Sequence, residues 1–189
     1  MSQPSNSSPL RVGLISLGCA KNLVDAELML GNLLKAGVEI TNDPAAADAV
    51  IVNTCSFIDA AQEESVDTIL ESAEVRAAQN RGQGLIVAGC LSQRFRDELP
   101  KLLPEVDAFM GIDQVTQVTE IVRQALARRA RRLRDEAAAP QAERGRRKSA
   151  IAGRLSQLDR SGAAEADGSS PPLRGTERFG KTRVVVGAG

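Results

Sequence analysis

Three apolar runs, VGLISLGC (12–19), AVIVNTC (49–55) and LIVAGC (85–90), each end in a cysteine, and the 189-residue chain holds only these three cysteines. Each run is short, bounded by polar or glycine residues and rich in Val, Ile and Leu, which is the pattern of a strand buried on both faces. Helical spacing separates them. Over residues 23–35, Ala26, Leu30, Leu33 and Leu34 share one face, and Gly37 ends the segment as a C′ glycine does. Over 59–80, Val66, Ile69, Leu70, Ala73 and Ala77 recur at helical spacing, with Asp59, Glu63 and Glu64 early and Arg76 late, as the helix dipole favours. Gly82 and Gly84 close that helix.

The intervening pieces complete an alternation. Residues 38–41 predict a short strand, and Asn42-Asp43-Pro44 a turn with a short helical stretch through Ala47. Ser92 predicts the N-cap of a short helix ending before Pro100. Residues 106–110 predict a last strand, and Val115, Val118, Ile121, Val122 and Ala125 mark a closing helix. Strands alternating with helices predict an α/β fold, a doubly wound, flavodoxin-like parallel sheet of about five strands in the order 2-1-3-4-5.

Charge divides the chain in two. Residues 1–127 carry 9 Lys and Arg against 17 Asp and Glu, whereas 128–189 carry 15 against 7. The expected organisation is a domain over 11–127 and an Arg/Ala/Gly-rich tail over 128–189. That tail is expected to be largely disordered, since it has little apolar material to offset chain ordering. Only RVVVG (183–187) looks strand-like there, and it has no evident partner. The basic stretch 128–134 suits phosphate contact, with ribosomal RNA as one partner. A solvated helix end explains it more simply, and no aromatic residue interleaves it for base stacking.

Composition excludes several chemistries. The chain has no histidine, so Ser–His and Cys–His pairs and imidazole metal ligands are ruled out. Neither a GxxxxGK[ST] loop nor a GxGxxG fingerprint is present. The polar start MSQPSNSSPL has no apolar signal core, and no run reaches a membrane span, so a cytoplasmic location is expected. In that compartment an odd number of thiols stays reduced.

On the expected sheet, Cys19, Cys55 and Cys90 follow strands 1, 3 and 4, which are neighbours. Strands about 4.8 Å apart bring the three within roughly 10 Å at the carboxyl edge, where open α/β sheets bind ligands. Each also precedes a helix start, where free N–H groups favour a thiolate or an anion. Three thiolates suit a structural zinc poorly without a fourth ligand. They suit a 4Fe–4S cluster with one iron left open, and they also suit small buried core residues.

The stretches SLGCAKNLVDAELMLG (16–31), NTCSFIDAAQEESVDTILE (53–71) and VAGCLSQRF (87–95) resemble the N-terminal domain of the radical-SAM methylthiotransferases, nearer the branch that modifies a ribosomal protein than the branch that modifies tRNA. The resemblance covers about residues 11–127. It implies one 4Fe–4S cluster held by Cys19, Cys55 and Cys90, with no further catalytic residue. The open iron would hold the sulfur of the methylthio group, and the target would be an aspartate of a small-subunit ribosomal protein. It also implies S-adenosylmethionine chemistry on a CxxxCxxC cluster in a central domain. No cysteine follows Cys90, so the chain is expected to be a sulfur-donor domain, inactive alone, from a truncated or frame-shifted gene or a split enzyme. The rival expectation is a non-catalytic flavodoxin-like binding module, or a vestigial fragment, whose cysteines are structural. Asn22, Asp25, Glu27 and Lys21 lie in the first motif, but surface helix polarity accounts for them about as well, and the Glu63-Glu64-Asp67 run reads as a solvated face.

Overall fold

The computed structural model describes residues 8–138 and the backbone of 184–185. The elements run β1 (Arg11–Ser16), α1 (Ala20–Lys35), β2 (Glu39–Ile40), β3 (Ala49–Thr54), α2 (Asp59–Gln79), β4 (Gly84–Gly89), α3 (Cys90–Arg94), α4 (Leu99–Leu102) and β5 (Ala108–Met110). A 3₁₀ segment (Ile112–Gln117), α5 (Val118–Ala138) and β6 (Val184–Val185) follow. The sheet order is β2-β1-β3-β4-β5, all parallel, as the alternation predicts. The chain divides into two units: Met1–Arg131 with Thr182–Gly189, and Arg132–Lys181. Of the second, only the end of α5 is described, and the expectation of a disordered tail falls on residues outside the described set.

Strand residues alternate between two aliphatic layers. Ala49 and Ile51 of β3 face the side covered by α1 and α5, with Met29, Leu33, Val118 and Val122. Val50 and Val52 face the side covered by α2, α3 and α4, with Ile69, Leu91 and Leu99. Every residue of β3 and β4 is buried, because the helices cover both faces and leave no polar side for alternation to mark.

Several local expectations need correction. Leu34 is 53% exposed. The buried stripe of α1 is Asn22, Ala26, Met29 and Leu33, and at 3.6 residues per turn Leu34 lies about 80° from Ala26, past its edge. Ala77 is likewise exposed. Residues 44–46 form a turn, without a helix. Ser92 is not an N-cap: Gly89 takes that place, and the Ser92 hydroxyl donates back to the Val87 carbonyl at 3.0 Å. The segment 183–187 does contain a paired strand. β6 lies antiparallel to β1, Val185 opposite Ile15 and Val184 opposite Ser16, on the edge that β2 covers only at Arg11 and Val12.

Two buried cations also escaped the sequence reading. Arg76 turns inward and pairs with Asp107 at 2.8 Å, while Asp107 accepts the Leu85 N–H at 3.0 Å. Arg129, inside the basic stretch, is buried and donates to the Arg81 carbonyl at 2.7 Å, and its neighbour Arg128 donates to the Asp107 carbonyl at 2.8 Å. These two bind the sheet's amino edge, opposite the cysteines, so the basic stretch is not simply a solvated helix end.

Candidate functional site

The three cysteines stand on three adjacent loops at the carboxyl edge of β1, β3 and β4. Cys19 is the N-cap of α1, Cys55 follows β3, and Cys90 is the first residue of α3. All three are free thiols; Cys19 is exposed, Cys55 buried and Cys90 between them. The sequence expectation that they gather on one edge is therefore met by the strand order.

Two glycines let the loops close up. Gly18 has φ +94, and a side chain there would run into Cys55 Cβ and stand 2.9 Å from Cys55 Sγ. At Gly89, with φ +97, a side chain would run into the Thr54 peptide and the Asn53 side chain. Neither position admits a Cβ without displacement, so glycine here serves close approach as well as backbone freedom.

Hydrogen bonds from buried polar side chains fix the loops. Asn22 is fully buried. Its Nδ2 donates to the Leu17 and Thr54 carbonyls, both at 2.8 Å, and its Oδ1 faces Cys90 Sγ at 3.7 Å. Asn53 Nδ2 donates to the Asn22 carbonyl at 2.8 Å, and Thr54 Oγ1 to the Ala88 carbonyl at 2.6 Å. On the other side, Ser65 of α2 accepts the Cys55 N–H at 3.1 Å, and its one hydroxyl proton is shared between the Ala61 carbonyl at 2.7 Å and the Cys55 carbonyl at 3.0 Å. The sequence reading placed Asn22 among surface helix residues. Its position four residues before Ala26, on the buried stripe of α1, was the available signal.

The thiols differ electrically. Cys19 is held below the usual thiol range, chiefly by the Asn22 N–H at the start of α1, with Lys21 adding to the effect. It makes no full capping hydrogen bond, so the amide acts through proximity and direction. Burial pushes the Cys90 thiol up, Lys21 opposes this, and the Cys55 and Cys19 thiols push it further. That mutual influence reflects their grouping. Lys21 itself pairs with Asp25 at 2.6 Å. Among the described residues, no group of three or more His, Cys, Asp or Glu side chains is placed so that it could hold a metal ion.

A parallel α/β domain presenting three thiols from neighbouring strand ends defines the class of protein. Its sequence places it more narrowly: residues 11–111 match the Uncharacterized protein family UPF0004, and the chain belongs to that family. It is 59% identical over 122 residues to the Ribosomal protein uS12 methylthiotransferase RimO of Akkermansia muciniphila, covering 64% of this chain and 27% of that protein. To the protein of the same name from Opitutus terrae it is 54% identical over 122 residues, covering 63% and 26%. With that of Solibacter usitatus the figures are 52% over 112 residues, covering 59% and 24%. The chain thus spans about a quarter of the length of these curated relatives and matches an N-terminal domain of the RimO type.

Proposed function

We propose that Cys19, Cys55 and Cys90 together hold one 4Fe–4S cluster, and that the chain is the sulfur-donor domain of a methylthiotransferase acting on an aspartate of ribosomal protein uS12. The observation that carries this reading is the meeting of three thiols on adjacent strand-end loops braced by one buried asparagine. The donor set is entirely sulfur, which suits zinc, copper(I) or iron–sulfur chemistry. Three thiolates around one tetrahedral ion stand about 3.8 Å apart, given metal–sulfur bonds of about 2.3 Å. A 4Fe–4S cluster is larger and meets each thiolate through a different iron, so it asks for a wider spacing than a single ion does. Gly18 and Gly89 let the three loops approach one another closely enough for their cysteines to share one group. When bound, such a cluster supplies one iron without a protein ligand, open to an exogenous sulfur.

The chain's own residues prepare the site. The α1 N-terminus and Lys21 favour the Cys19 thiolate, and Ser65 fixes the backbone of Cys55. The S-adenosylmethionine site belongs, on this reading, to the part of the relatives beyond the matched quarter. The proposed location is the cytoplasm, where the ribosomal substrate is found. Contact with ribosomal RNA would rest on Arg131 and Arg134, which are exposed, since Arg128 and Arg129 are engaged with the domain.

Anaerobic reconstitution with iron and sulfide tests the reading. About four irons and four sulfides per chain are expected, with a charge-transfer band lost in Cys55→Ala. Wild-type protein that stays folded and takes up no iron would overturn it and return the cysteines to a structural role in a non-catalytic module.

A further inference from the structure

We infer that Asn22 is the positioning residue of the three-cysteine site, holding the three loops in register through one side chain. The inference deepens the iron–sulfur reading and rests on it for its purpose, though not for its geometry. Asn22 occupies the first turn of α1, three residues after Cys19, and is fully buried. A carboxamide has two N–H donors and one oxygen acceptor. Here the two donors are divided between strands. One reaches the Leu17 carbonyl, just before Gly18 and Cys19, at 2.8 Å; the other reaches the Thr54 carbonyl, just before Cys55, at 2.8 Å. The oxygen is turned to the third loop and faces Cys90 Sγ at 3.7 Å. The backbone carbonyl of the same residue accepts from Asn53 at 2.8 Å.

Glutamine carries the same amide but sets it one methylene farther from the helix, and the other common side chains do not satisfy this set. Aspartate offers only acceptors to two carbonyls. Serine has one donor and cannot span two strands. Leucine fills the space and bonds nothing, leaving two strand-end carbonyls without the donors they now have. A buried amide satisfied on three sides is rigid, and rigidity transfers to the loops it joins. The three thiols are therefore set before any ligand arrives, and the arrangement depends on Asn22 more than on general packing.

The test reads thiol geometry and iron separately. A short fluorogenic bis-alkylating reagent, which lights up only when two nearby thiols are bridged, is applied to the full chain without iron. Wild type, Asn22→Leu and Asn22→Asp are compared with Ile86→Val, a loss of core packing in mid-strand away from the loops. Folding is followed by circular dichroism. The expected result is bridging at least fivefold slower in whichever Asn22 variants fold, with Ile86→Val unchanged from wild type. Iron uptake on reconstitution should fall in the same variants and not in Ile86→Val. A folded Asn22 variant that bridges and loads iron like wild type would overturn the inference. So would Ile86→Val slowing bridging as much as Asn22→Leu. If neither Asn22 variant folds while Ile86→Val does, Asn22 holds the whole domain together, and the specific role is refuted. Wild type that bridges readily and binds no iron would instead refute the iron–sulfur reading, leaving the positioning result to stand on bridging alone.

Discussion

Gly89 turns β4 directly into α3 with φ 97° and ψ −158°, a backbone region that essentially only glycine occupies. Forcing a side chain there costs about 1–3 kcal/mol in backbone strain. In Gly89→Ala the new Cβ would also run into the Thr54 carbonyl oxygen, and would stand 2.6 Å from Asn53 Oδ1 and 2.9 Å from the Thr54 nitrogen. Two of these three atoms are backbone of a central strand and cannot swing aside. Overpacking of this kind adds about 1–3 kcal/mol, for a total near 4 kcal/mol. Gly31 provides the contrast. It lies inside α1, and a Cβ there meets nothing within 4 Å, so Gly31→Ala should gain about 0.5–1 kcal/mol from helix propensity. For a unit of this size each kcal/mol moves the melting temperature by roughly 3–5 °C. Thermal melting of the two variants should thus bracket wild type, Gly89→Ala lower by about 12–20 °C and Gly31→Ala higher by a few degrees. Gly89→Ala melting within about 2 °C of wild type would refute the reasoning, because strain and collision would then both be absent.

Two further outcomes are expected. Arg76→Ala should lower stability by about 3–5 kcal/mol in urea unfolding, because it takes the guanidinium away from the buried Asp107 carboxylate, whereas Arg96→Ala, which breaks the exposed pair with Asp113 at 3.1 Å, should change it by about 0–1 kcal/mol; equal effects would count against the burial argument. Alkylation with iodoacetamide at neutral pH, followed by mass spectrometry, should modify Cys19 first and Cys90 more slowly. Cys19 is exposed and its thiolate is favoured, while burial keeps Cys90 protonated to higher pH; the reverse order would contradict the electrostatics described.

The strand order and the edge on which the cysteines gather were legible in the sequence, for a simple reason. Continuous apolar runs such as AVIVNT and GLIVAG specify strands buried on both faces, and chain order with parallel pairing leaves few arrangements. What was not legible came from polar side chains used inward. Arg76 sits where a helix dipole would want a cation, and the sequence gives no sign that it turns into the core to meet Asp107. Arg129 lies in a run of arginines that looks uniformly solvated, yet it is buried against a backbone carbonyl. Asn22 lay on the correct helical face, but hydrophobic periodicity counts only apolar residues and passed over it. Leu34 shows the converse, an apolar residue just past the stripe's edge. The pairing of β6 was beyond reach because its partner lies at the other end of the chain.

That pairing has a consequence for how the protein behaves when damaged. β2 covers β1 only at Arg11 and Val12, and β6 supplies the pairing at Ile15 and Ser16. The second half of the edge is thus closed by a segment from the far end of the polypeptide. Loss of that strand would uncover the edge at Ile15 and Ser16. An apolar strand beside the cysteine loop would then present unpaired amides and carbonyls to other molecules. Open edges of this kind recruit further strands. A protein that lost β6 would therefore self-associate through β1, so the pair Val184–Val185 acts as the molecule's own protection against aggregation.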